Sequence, residues 1–411
     1  MPRAPYAILA ALLGLAATSL PVLADPVGDA TPLRDAYPVE WVPADSDFGD
    51  VSLPFQVDWS LGLRGAYQRD ESGTHYEMLA LPSVTLTNEW RRARLTATAD
   101  AEIDKLQGAD ARIAELRLAV AGDYRIDSDT TLSGNALLST SQESTLTAPL
   151  DEAVPARITT GSIDGTLTRD FGRFTAELRG GIGREVYGDT TLVDGTVRDN
   201  ADSTNTSGNA GLRLGLKMTP ILSVFGDLSV ARDVYDAPSS TLGVKADGTD
   251  YALKAGIAGN WGHDRLEAEA SVGVGLRRYD AASLGDVHTT LYDASVTYHP
   301  DETWTIGANL STEIVPPGGD VDATRIRYAL GADLGYRINS WLALRASADL
   351  SREDQVGTDI TNTSYGWGVG ADYTLNSHTD LSADYGFTHI ENAPDPERDA
   401  HRIVLGVTFK R

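Results

Sequence analysis

Seven histidines and a long series of regularly spaced charges are the side chains of this 411-residue sequence that could do chemistry. His288 follows Asp286 by two residues and His401 follows Asp399 by two, with His389 nearby in sequence. A histidine held by a carboxylate can activate water or a nucleophile, so these three allow a surface-facing hydrolytic site. Neither a GxSxG nor an HExxH pattern accompanies them, which leaves hydrolysis the weaker reading. No spacing matches a metal-binding loop, so no metal ligand and no cofactor is expected.

The charges form the larger set. Arg64, Arg94, Arg117, Arg179, Arg213, Lys217, Arg277, Arg327, Arg337 and Arg345 stand at even separations from other polar residues and odd ones from apolar residues. The same is true of Asp100, Glu102, Glu115, Glu177, Asp227, Glu267, Glu269, Glu313, Asp333 and Asp349. If one face of a closed sheet carries them all, they line an interior. There they set a field that selects among ions, or they pair across strands and stiffen the wall. Both readings stay open, and the acidic excess favours cations.

The elements that must position these groups are strands. In FQVDWSLGLRGAYQ, Phe55 to Gln68, the odd positions are apolar apart from Gly65, and most of the even ones are polar. That two-residue period gives a strand with one greasy and one wet face. About 14 residues exceed the 9–11 that a tilted strand needs to cross a bilayer. The design recurs to Phe409. Counting the segments gives about 18 strands, or 16 if two weaker ones merge, an even number either way. Tyr76 to Leu86 is the weakest, because Leu79 and Leu81 fall on the wet face and Pro82 interrupts the ladder.

Tight turns near Asn88–Arg91, Ile126–Thr130, Arg169–Arg173, Met218–Leu222, Trp261–Arg265, His299–Thr303, Ile338–Trp341 and Asn376–Asp380 alternate with loose acidic connections such as 142–156, 188–208 and 236–250. Short turns on one side and long loops on the other are the pattern of a bacterial outer-membrane barrel. Trp90, Trp261, Trp304 and Trp341 flank the tight turns, whereas Tyr67, Tyr76, Tyr187, Tyr235, Tyr251, Tyr279 and Tyr292 sit at the long-loop ends, as two interfacial girdles would. A propeller blade would need four short strands per interval, and no short solenoid repeat is visible.

Composition agrees. Acidic side chains number 59 against 34 basic, a net charge of −25, so no nucleic-acid partner is expected. Cysteine is absent, which excludes disulfides. Arg3, the apolar run Ala7–Leu20 and the small residues before Ala24 predict a signal peptide over 1–24. An acidic, proline-rich periplasmic tail follows over 25–54, and the barrel occupies 55–411. Loop carboxylates could meet outer-membrane lipids and lipopolysaccharide through bridging divalent cations.

VDWSLGLRGAY from Val57, SIDGTLTRDFGRF from Ser162 to Phe174, and LRLGLKMTPILSVFGDLSVARDVYD from Leu212 to Asp236 carry a family likeness. With the signal, tail and turns, they resemble the putative β-barrel porin 2 group of Gram-negative bacteria, in particular its alphaproteobacterial members. The resemblance implies a barrel in the outer membrane that acts as a passive diffusion channel, with no catalytic residues. Such barrels end on an aromatic residue that the assembly machinery reads; here Phe409 is followed by Lys410 and Arg411, so Phe409 is that residue displaced by two. Two other functions compatible with the sequence are export or anchoring of a surface polysaccharide, with the tail as contact, and the surface hydrolase above.

Overall fold

The computed structural model describes residues 55–71, 73–142, 152–240, 242–262, 264–317, 324–392 and 397–411. The expected signal peptide and tail lie outside them. Eighteen strands form one sheet. They are β1 (Gln56–Asp70), β2 (Gly73–Glu89), β3 (Ala93–Leu106), β4 (Arg112–Arg125), β5 (Thr130–Gln142), β6 (Arg157–Asp170), β7 (Phe174–Tyr187), β8 (Asn205–Thr219), β9 (Leu222–Tyr235), β10 (Gly248–Trp261), β11 (Leu266–Tyr279), β12 (Val287–Tyr298), β13 (Trp304–Val315), β14 (Arg325–Asn339), β15 (Leu342–Gln355), β16 (Thr361–Asn376), β17 (Thr379–Asn392) and β18 (Arg398–Lys410).

Each strand pairs antiparallel with the next, and β18 returns to β1 over Ser60↔Lys410 to Arg69↔His401. The sheet is therefore a closed up-and-down barrel with no edge strand. The amides and carbonyls of Trp59 and Arg411 exchange two hydrogen bonds of 3.0 Å at the junction, which brings the two ends of the barrel together. Closure leaves every strand flanked on both sides, the only sheet arrangement that lipid tolerates.

All eight tight turns fall where composition places them, and the strand ends that the long connections join, at Gln142 and Arg157, Tyr187 and Asn205, and Tyr235 and Gly248, lie at the opposite rim. Gly172 takes a φ of 81° in the β6–β7 turn, a conformation that a side chain would strain. In the β10–β11 turn Asp264 adopts φ 67°, and its N–H donates to Asn260 Oδ1 at 3.1 Å. At the long-loop rim, the segments Glu152–Val154, Thr190–Leu192 and Val197–Arg198 form a separate three-stranded sheet between two connections.

The weakest expected strand is a full 17 residues. Pro82 does interrupt pairing with β3, between Ala80↔Ile103 and Ser83↔Asp100, but the register resumes unchanged and the ladder to β1 is continuous. A missing N–H costs one rung here, and the other neighbour holds the strand in line.

Large apolar side chains cover one face: Leu178, Ile182, Leu253, Ile257, Val274 and Leu405 are all exposed. Such a surface suits hydrocarbon and not water. Trp261, Trp304, Tyr298 and Tyr336 belong to this face at the tight-turn rim, with Trp304 and Tyr336 stacked at 4.2 Å. The long-loop girdle needs correction. Tyr67, Tyr76, Tyr251 and Tyr292 do lie on the apolar face, but Tyr187, Tyr235 and Tyr279 share the other face with Glu185, Asp233 and Arg277. Position along a strand fixes height, while parity fixes the face.

A few arginines break the apolar face near the long-loop rim. Arg232 and Arg278 reach up to Asp280 at 2.8 Å and Asp286 at 3.4 Å, as snorkelling residues do. Arg184 does the same with Asp236 at 2.8 Å. These contacts hold the Asp236 and Asp280 carboxyls below the usual carboxylate range, the Arg184 and Arg232 hydrogen bonds being the main causes. A lowered folded value means the contribution is complete above the unfolded pKa and lost as pH falls through the folded one. Pepsin cleavage of the loop that follows β9 should therefore stay low above the usual carboxylate range, about pH 5, and rise as the pH falls below that range. In Asp236→Asn the rise should vanish and cleavage should be high throughout. Leu253→Arg, on the exposed apolar face, should destabilise the refolded barrel by about 2–4 kcal/mol in denaturant titrations in vesicles.

Candidate functional site: the charged face of the barrel

Two contacts identify the polar face as the concave one. Arg213 on β8 meets Glu269 on β11 with paired bonds of 2.8 and 2.6 Å, crossing two intervening strands, and its guanidinium lies 3.6 Å over the Phe225 ring of β9. Arg402 on β18 likewise reaches Glu77 on β2 at 2.9 Å, across β1. Side chains converge like this only on the inside of a curved sheet.

Cross-strand register places all twenty charged candidates on this face. Arg64 stands opposite Leu79 and Gly406, Arg94 opposite Glu89, Asp100 opposite Arg117, and Glu102 opposite Glu115. Glu177 faces Arg213, which faces Asp227; Arg179 faces Gly211, and Lys217 faces Ser223. Glu267 and Glu269 stand opposite Asn260 and Ala258, and Arg277 opposite Asp250. Glu313 faces Arg327, while Asp333, Arg337, Arg345 and Asp349 face Ser347, Ala343, Gly335 and Gly331.

Many of these groups are brought into ion pairs that run along the wall. Arg179 meets Asp227 and, at 3.4 Å, Glu177; Lys217 meets Asp170; Lys254 meets Asp293 at 2.7 Å. Arg345 sits between Asp372 at 2.6 Å and Asp384 at 2.9 Å. Glycine makes room for the flat-lying side chains: a Cβ on Gly370 would fall 2.2 Å from Asp384 Oδ1, and one on Gly307 equally close to Asp333 Oδ1. Among the described residues no ion pair is recorded for Asp349 or Glu267, and Glu102 and Glu115 are like charges directly opposed.

The most deeply set charges lie at the long-loop end, and several were not singled out by sequence. Arg277 donates to Asp233 at 2.9 Å and to Asp250, with its side chain 1 % exposed. Arg325 and Arg327, 4 % and 3 % exposed, share Glu353 at 3.2 and 2.6 Å, and Arg327 also reaches Glu313 at 3.5 Å. Asp250 falls in the loose connection 236–250 of the sequence and Glu353 past the apolar stretch of its strand, yet both stand on the inner face, since β10 and β15 extend further than those stretches. Arg112, paired with Asp104 at 2.8 Å, escaped because a bulge opposite Glu102/Ile103 resets the parity of β4; Asp104 keeps the inward parity of Asp100 and Glu102.

Carboxylate exposure differs sharply from that of the arginines. Glu313, Asp250 and Asp233 side chains are 47 %, 27 % and 21 % exposed. The layer that meets lumenal water here is thus acidic, with the guanidiniums behind it. Asn362, 3 % exposed beside Glu353, has neither amide atom bonded among the described residues.

The histidines read as candidates for hydrolysis lie on the outward face. His389 Nδ1 is 2.7 Å from Asp399 Oδ1, and its ring stacks on Tyr365 at 4.8 Å. His401 Nδ1 is 2.8 Å from the Tyr385 hydroxyl. His288 is outward on β12, and Asp286 turns to Arg278 instead. The expected His–Asp contact thus forms at one position, between aromatic rings on the lipid side. Among the described residues, no group of three or more potential ligands could hold a metal ion.

Removing Glu353 leaves two guanidiniums buried without their shared partner. Glu353→Gln should cost roughly 3–5 kcal/mol, read as a lower denaturation midpoint of the refolded barrel. Asp349→Asn, which breaks no ion pair, should leave the midpoint unchanged.

No curated protein matches the chain. Solved structures similar to it include three barrels of Pseudomonas aeruginosa. OpdK with vanillate is 10% identical, with 87% of this chain and 99% of that chain covered and a TM-score of 0.46. OccK2 (OpdF) in complex with glucuronate is 11% identical, covering 87% and 98% at a TM-score of 0.45. OccK5 (OpdH) is 12% identical, covering 87% and 98% at a TM-score of 0.44. The family described as "Putative beta-barrel porin 2" matches residues 64–411, nearly the whole barrel, and the chain belongs to that family.

Proposed function

We propose that this porin-family barrel sits in the outer membrane of a Gram-negative bacterium and passes small hydrophilic solutes and ions by diffusion, with a mild preference for cations. Eighteen strands enclose more width than their own side chains fill, which leaves an aqueous path. The observation that carries the preference is the layering at the long-loop end. Arg277, Arg325 and Arg327 are withdrawn behind Asp233, Asp250 and Glu313, so an entering ion meets carboxylates first. A field set at close quarters by such a layer decides which sign passes. Passage needs no bond-making, so no catalytic role is assigned to His288, His389 or His401.

Lipids and lipopolysaccharide are the proposed surroundings of the apolar face and its aromatic rims. The proposed contact with the assembly machinery is β18, where Phe409 points to the apolar face opposite Leu61 and Thr379.

Single-channel recording of the refolded chain in a planar bilayer, under a salt gradient, tests the reading. Steady openings are expected, with a reversal potential displaced toward that of the cation. Glu313→Gln should lower the cation-to-anion permeability ratio, since it removes one carboxylate from the acidic layer. A folded barrel that stays electrically silent would refute the channel, and an anion-directed reversal potential would refute the preference.

A further inference from the structure

The wall is not zipped evenly. β12 and β13 pair over five residues only, from Tyr298↔Ile306 to Ala294↔Leu310, although β12 stays paired with β11 up to Val287 and β13 with β14 up to Val315. Toward the long-loop rim the two strands part. At the fork the Tyr292 N–H donates at 3.2 Å to Thr312 Oγ1, where a strand partner would offer a carbonyl. Thr312 is 6 % exposed, so the fork itself is closely packed and the parting lies beyond it, toward the rim.

The side chains flanking the fork lean away from it. Asp293 is drawn by Lys254 of β10 at 2.7 Å, and Leu291 lies within 3.2 Å of the space above Gly275 of β11. Glu313 turns the other way, toward Arg327 of β14. Near the rim the Tyr279 and Thr324 hydroxyls, 2.7 Å apart and both buried, link the end of β11 to the residue before β14, past both strands of the seam. Backbone groups left without a strand partner cannot face hydrocarbon bare. Here they need water, which the lumen supplies.

We propose that this parted half-seam is a lateral opening between the lumen and the outer-leaflet lipid. It would pass an amphipathic solute whose polar head meets water and the carboxylates of Asp293 and Glu313, and whose tail meets lipid beside Tyr292. The inner end of the path rests on the channel reading, and the outer end rests on the ladder alone.

Amide exchange on the refolded full chain in bicelles tests the parting. Strand amides alternate in direction, so those of His288, Thr290 and Ile314 point into the gap on the same side as those of Tyr292 and Thr312. His288, Thr290 and Ile314 should exchange at least tenfold faster than Ala294 and Leu310, which the ladder pairs. Equal protection would overturn the opening. Passage is tested with single cysteines, which are unique in this cysteine-free chain. An alkyl maleimide dissolved in the bilayer should label Ser311→Cys, on the inner face beside the gap, at least tenfold faster than Ser347→Cys, on the inner face of β15. Equal rates would mean entry by the mouth and would overturn the lateral path. A water-soluble maleimide should label both alike; if it labels neither while the alkyl reagent still takes Ser311→Cys, the aqueous channel fails and the lateral opening stands.

Discussion

Every other feature of this barrel depends on one constraint: in hydrocarbon, each backbone N–H and C=O must be met inside the protein. An open sheet of this length would leave two edges to lipid. Pairing of β18 with β1 removes both, and the hydrogen bonds between Trp59 and Arg411 lock the joint where the chain enters and leaves the wall. Closure then dictates the side-chain chemistry. Once the ring is shut, one face of every strand has hydrocarbon as its solvent and the other has water, so a single alternation repeats through all eighteen strands.

Charge follows from closure as well. A guanidinium on the inner face has neighbours not only on the next strand but two or three strands away, because curvature draws side chains together. Arg213 with Glu269 and Arg402 with Glu77 are products of that curvature. The same convergence lets Arg325 and Arg327 share Glu353 nearly out of contact with water. Buried pairs of this kind add little net stability over an apolar replacement, yet they are strongly penalised when half is removed. Their visible effect here is on the surface they leave behind: the guanidiniums and Glu353 are hidden, while Asp233, Asp250 and Glu313 face the lumen.

Much of this is legible in the residues. The two-residue period places charge and greasy side chains on opposite faces, and a one-residue slip would drive mid-depth arginines into lipid at roughly 2–4 kcal/mol each. Turn composition marks both rims, as at Arg169–Arg173, where Gly172 supplies the positive φ. Errors arose where a local irregularity shifts the count or where a strand outruns its apolar stretch. The bulge opposite Glu102/Ile103 hid Arg112, and Asp250 passed for a loop residue.

Sequence by itself determined the alternation, the turn positions and a strand number of about 16–18, because a strand's face follows from parity and needs no partner to define it. Only the tertiary structure decided which charges meet, which are hidden, and where the wall parts between β12 and β13. Those depend on curvature and on the distance between strands far apart in the chain, and no local pattern encodes them.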